Sequence, residues 1–115
     1  SNVMRMSVKH TLESAGFGVE LAENGLEGLK SLKRMKENGG VPELIFVDIN
    51  MPVMDGITFI KKVKQTSCKT IPVLVLTTES EEKKKNEGRQ AGAAGWLVKP
   101  FDKDKLIKVV RKFVR

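Results

Sequence analysis

The sequence predicts an α/β fold in which a parallel sheet is doubly wound, with helices on both faces. Two observations carry this. The short, unbroken apolar runs at residues 44–47 and 72–76 have the length and continuity of strands buried on both faces. Around them, apolar residues recur at helical spacing in segments joined by short links, and alternation of that kind gives parallel strands with crossover helices.

The elements follow in order. Met4, Val8, Leu12 and Ala15 predict a helix over residues 2–15, with Gly16 placed as its C-cap glycine. Phe17, Val19 and Leu21 alternate with smaller or polar residues, the period of a strand with one buried face. Asn24 with Glu27 three positions on is an N-terminal capping pattern, and Leu26, Leu29 and Leu32 carry a helix over 25–37. Asn38, Gly39, Gly40 and Pro42 end it in a loop.

The run 44–47 is the central strand. It leads directly into Asp48, and Asn50, Pro52 and Gly56 turn the chain. Ile57, Phe59, Ile60 and Val63 predict a helix ending near Gln65. The strand 72–76 tolerates Pro72 at its first residue and stops at Thr77 and Thr78. Ser80 is placed to cap a mostly polar helix whose first turn holds Glu81 and Glu82. Residues 95–98 form a last strand, stopped by Lys99 and Pro100. Asp102 caps a final helix whose buried stripe is Leu106, Ile107, Val110, Phe113 and Val114.

Composition narrows the function classes. At 115 residues, 40% hydrophobic and 30% charged, the chain is expected to form one globular domain over 1–115. It shows no apolar stretch of membrane-spanning length and no leader, so a cytoplasmic protein without membrane contact is expected. Cys68 is the single cysteine; it lies in a polar stretch and reads as a spare reduced thiol. A net charge of +7 points to an acidic partner. A conventional enzyme is not expected, because there is no phosphate-cradling glycine loop, no nucleophile paired with a base and no metal cluster.

A different chemistry is written at the strand ends. Asp48, Thr77 and Lys99 each close a strand on the same edge of a parallel sheet, where α/β proteins bind ligands. Such a trio suits a phosphoryl group: the carboxylate attacks, the ammonium balances the charge of the oxygens, and the hydroxyl donates a hydrogen bond. Singly, each reads as an ordinary turn or surface residue. Their conjunction carries the weight.

With these residues in place, the chain resembles the receiver domains of two-component response regulators, in layout the stand-alone chemotaxis (CheY-like) type. The resemblance covers the whole chain and rests on Val47-Asp48-Ile49-Asn50-Met51-Pro52 with Met54-Asp55-Gly56, on Leu76-Thr77-Thr78-Glu79, on Ala91-Gly92-Ala93 with Gly95, and on Val98-Lys99-Pro100-Phe101. It implies a flavodoxin-like sheet of order 2-1-3-4-5. It implies that Asp48 is the phosphoacceptor, served by a sensor histidine kinase or a phosphotransfer protein. Thr77 would be the switch hydroxyl, Lys99 the cation on the phosphate, and Trp96 the switch aromatic, where the family carries Tyr or Phe. The Lys99-Pro100 bond would be cis. Magnesium would be held by Asp48 and the backbone carbonyl of Asn50. Glu79 resembles a residue gating the phosphate, and His10 reads as a solvated residue of the first helix.

The resemblance also implies a docking face, built here from Lys83, Lys84, Lys85, Arg89, Trp96, Lys103, Lys108 and Arg111. Its charge suits an acidic output partner, such as a flagellar motor-switch segment. Nucleic acid would also suit a basic face, but aromatics are only 5% and no DNA-binding module follows.

One departure stands against these matches. The family's first strand ends in two adjacent acids that hold the metal, and the sequence opens at Ser1-Asn2-Val3-Met4-Arg5, which resembles the residues just after them. Strand 1 is thus absent, and the domain is expected to be N-terminally incomplete. That strand lies inside the sheet, and its loss would cost as much as a domain's whole stability, about 5–15 kcal/mol. A lost or disordered beginning is expected first and a strand-exchanged dimer second. Magnesium binding should then be weak or absent. Two functions stay open: a phosphoacceptor signalling switch, and a pseudo-receiver scaffold that binds partners without phosphorylation.

Overall fold

In chain order the elements are α1 (Asn2–Ser14), α2 (Gly25–Glu37), β1 (Ile45–Asp48), α3 (Gly56–Val63), β2 (Val73–Thr77), α4 (Glu82–Ala91), β3 (Gly95–Val98) and α5 (Lys103–Phe113). This is a computed structural model, and it describes residues 2–48, 53–77 and 82–114. The three strands make a parallel sheet of order β1-β2-β3. Val47 lies level with Val75, and Val75 with Trp96.

Period-two alternation sends successive residues of each strand to opposite layers. Val47, Val73 and Val75 enter a core with Leu32 of α2, Phe59, Ile60 and Val63 of α3, and Ala91 of α4. Leu76 and Leu97 enter the other, with Leu12 of α1 and Leu106 and Val110 of α5. Helices therefore cover both faces, and the fold is the flavodoxin-like, doubly wound α/β class. The middle strand β2 is buried from Val73 to Leu76.

The strand expected at residues 17–21 does not pair. Its alternation is present: Phe17 and Val19 are half-buried and pack against the α1/α5 core, while Gly18 and Glu20 are exposed. Yet no ladder reaches it among the described residues. A strand needs a neighbour to bond, and the observed sheet of order β1-β2-β3 offers this segment none among the described residues. β1 lies on the edge of this sheet, half-buried at Ile45 and Phe46.

Local signals set the other boundaries. Asn24 caps α2, its side chain accepting from the Glu27 N–H at 2.9 Å. Asp102 caps α5, accepting from the Lys105 N–H at 2.7 Å. Gly16 ends α1 at φ +95, where the Phe17 N–H returns to the Leu12 carbonyl at 3.0 Å. Helix α3 stops at Val63, short of Gln65, because the Gln65 and Thr66 N–H groups bond three residues back, to Lys62 and Val63. Pro72 lies just outside β2; its carbonyl accepts from the Ile45 N–H at 3.0 Å. Ser80 and Glu81, the expected start of α4, lie outside the described residues.

Candidate functional site

Because every strand runs the same way, their carboxyl ends share one edge. Asp48 is the last residue of β1 and lies level with Leu76. Thr77 is the last of β2 and lies level with Val98, and Lys99 follows β3 directly. Across this edge Lys99 Nζ donates to Asp48 Oδ2 at 2.7 Å. The two side chains are only 18% and 15% exposed. Charges this far out of water need a partner, and each supplies the other's. The backbone puts Thr77 beside them; its side chain lies outside what is described.

This pair can do specific chemistry. A carboxylate at a sheet edge can be a nucleophile toward phosphorus, and an ammonium within hydrogen-bond reach can move onto the oxygens of an incoming phosphoryl group. The Lys99-Pro100 peptide is cis, as the resemblance implies. Beyond Asp48, residues 49–52 lie outside the described residues, and with them Asn50 and its carbonyl. Val53 has a φ of +70, unusual for a β-branched residue.

Asp55 then caps α3. Its Oδ1 accepts from the Thr58 N–H at 2.9 Å and its Oδ2 from the Thr58 hydroxyl at 3.0 Å. The backbone hydrogen bond from Thr58 is the main cause that holds this carboxyl below its ordinary range.

The magnesium ion implied by the resemblance finds little to bind here. Among the described residues no three His, Cys, Asp or Glu side chains come together as a metal site. Asp48 has one oxygen on Lys99, and both Asp55 oxygens are taken by Thr58. A hard divalent cation needs several oxygen donors in an octahedral shell, and these residues do not by themselves fit one.

On β3, Trp96 is half-buried and packs against the α3/α4 core. The guanidinium carbon of Arg89 lies 5.1 Å from the centroid of its ring. Arg89 Nη1 also donates to Asn86 Oδ1 at 3.2 Å, one turn back on α4. Both Arg89 and Trp96 belong to the expected docking face, but their contact leaves no pattern in the sequence. Lys103, Lys108 and Arg111 are exposed on α5, as a docking face requires. The side chains of Lys83, Lys84 and Lys85, and all of Glu79, lie outside what is described. His10 is exposed on α1, while Cys68 is buried in the core and not on a polar surface.

Comparison with known proteins bears on the family and the fold. A family model described as the response regulator receiver domain matches residues 1–111. The structure of chemotaxis protein CheY4 from Vibrio cholerae superposes with a TM-score of 0.90 at 42% identity, covering 99% of this chain and 92% of that one. The chemotaxis protein CheY of Bacillus subtilis is 34% identical over 110 residues, 95% of this chain and 87% of its own length. The sensor histidine kinase CheAY of Helicobacter pylori is 33% identical over 117 residues; all of this chain is covered, but only 14% of that protein. No helix among the described residues is long and apolar enough to cross a membrane.

Proposed function

The chain belongs to the response regulator receiver domains, and on that premise we propose that it is a phosphoacceptor switch of a two-component phosphorelay, with Asp48 as the acceptor. The observation that carries the reading is the 2.7 Å contact of Lys99 with the Asp48 carboxylate at the sheet edge. An Asp48 oxygen attacks the phosphorus of a phosphohistidine on a histidine kinase or phosphotransfer protein. The P–N bond breaks, the imidazole leaves with its electron pair and takes up a proton, and an acyl phosphate forms on Asp48.

Lys99 then transfers its hydrogen bond to the phosphoryl oxygens. Thr77, at the end of β2, supplies a hydroxyl to the same oxygens. Trp96 responds, and the face of α4, β3 and α5 changes its affinity for an acidic output partner, such as a flagellar motor-switch segment. The exposed cations Arg89, Lys103, Lys108 and Arg111 support that partner's charge. A switch of this kind works in the cytoplasm.

A second reading follows from the donor set. Among the described residues no three His, Cys, Asp or Glu side chains gather as a magnesium site, and a chain that does not take phosphate would serve as a binding scaffold. Chemical trapping decides between the two. The chain is incubated with a phosphohistidine donor and magnesium, then reduced with borohydride, which converts an aspartyl phosphate to homoserine. Homoserine at position 48 supports the switch, and its absence leaves the scaffold.

A further inference from the structure

The contact of Arg89 with Trp96 is built from more than proximity. Its guanidinium carbon, 5.1 Å from the ring centroid, is within the range where a cation over an aromatic face is held by the ring's quadrupole. The hydrogen bond from Arg89 Nη1 to Asn86 Oδ1 at 3.2 Å fixes the far side of the same guanidinium to α4. The backbone between the two residues is fixed as well. Helix α4 ends at Gly92, φ +110, where the Ala93 N–H returns to the Gly88 carbonyl at 2.9 Å, and the Ala94 N–H bonds the Val73 carbonyl of β2 at 2.8 Å. The last turn of α4 is thereby set over the start of β3.

Arg suits this place better than Lys. Its planar, weakly hydrated cation can lie over a ring while its edge nitrogens still donate, whereas an ammonium is a compact, strongly hydrated point. We propose that Arg89 is a positioning residue for Trp96: it keeps the indole beneath α4 and so raises the threshold for the ring to leave that place when the site is phosphorylated. The first half stands on the contact alone. The second half rests on the reading of Trp96 as the switch aromatic.

The test uses the full chain, whose single Trp and lack of Tyr make its fluorescence a report on Trp96 alone. Wild type is compared with Arg89→Gln and Arg89→Lys; Arg89 is exposed, so both variants keep the core. In the resting protein, Arg89→Gln is expected to shift the emission and to raise quenching by acrylamide, with Arg89→Lys in between. Titration with beryllium fluoride and magnesium, which mimics the phosphoryl group, is then expected to half-saturate at a concentration about 2–5-fold lower in Arg89→Gln, the population shift that an exposed cation–π contact corresponds to. Arg89→Lys should partly restore the wild-type value.

Identical resting emission and quenching in wild type and Arg89→Gln would overturn the positioning role. Changed quenching with an unmoved half-saturation point would overturn the threshold. If wild type itself neither responds to beryllium fluoride nor accepts phosphate, the switch reading fails and the threshold with it, while the resting measurements still decide whether Arg89 holds the ring.

Discussion

Lys99 and Asp48 are 51 positions apart in the chain, and the ammonium of one lies 2.7 Å from the carboxylate of the other. Parallel strands make this meeting: β1 ends at Asp48, β3 ends just before Lys99, and β2 sets the register between them. The site therefore depends on the sheet, and the pair in turn ties the sheet's two outer strands at one end.

That relationship predicts a measurable coupling. At 15–18% side-chain exposure the pair is neither free in solvent nor deeply buried. A double-mutant cycle of Asp48→Asn and Lys99→Met in urea should give a favourable coupling of about 1–2 kcal/mol, between the values for exposed ion pairs and for hydrogen bonds to buried charges. A coupling near zero would mean that the contact does not persist in solution.

The cap at Asp55 makes a pH-dependent prediction. Its carboxyl is held below the usual range chiefly by the Thr58 N–H. A depressed folded-state pKa contributes stability above the unfolded carboxylate value, about 3.9, and that contribution is lost as pH falls through the folded value. Asp55→Ala should cost about 1 kcal/mol at neutral pH by urea titration. As pH falls below the unfolded carboxylate value and through the lower folded one, the gap between variant and wild type should narrow; a gap that is constant with pH would contradict the charged cap.

Val53 offers the opposite sign. It is 77% exposed at φ +70, so its side chain packs little and its backbone is strained. Val53→Gly should raise stability by about 0.5–1 kcal/mol, seen as a higher urea midpoint with an unchanged slope.

Gly92 tests the turn that sets α4 over β3. An added Cβ would stand 2.9 Å from Lys64 Cε, which can move, but φ +110 cannot be adopted without strain. Gly92→Ala should therefore cost about 1–2 kcal/mol and alter the emission of Trp96. An unchanged emission would show that the turn does not set the ring's place.

Much of this was legible in the sequence because its signals are local. The span of α2 follows from Asn24, the leucine spacing and the glycines after Glu37, and the span of β3 follows from its apolar run and the Lys99-Pro100 stop. Asp48 and Lys99 could be placed at strand ends, and the alternation of elements then put those ends on one edge. Where the outcome depended on a distant partner, the sequence was silent. Phe17 and Val19 show the right period for a strand, but pairing requires a neighbour, which a periodicity cannot reveal. The stack of Arg89 on Trp96, the positive φ of Val53 and the burial of Cys68 arise from how segments meet in space.

Phosphoryl acceptance by Asp48 is the step on which the proposed switch depends. Intact mass before and after exposure to acetyl phosphate with magnesium tests it most directly, with Asp48→Asn treated in parallel. Wild type is expected to gain the mass of one phosphoryl group and Asp48→Asn to gain none. A wild type that gains nothing, or a variant that gains as much, would contradict it.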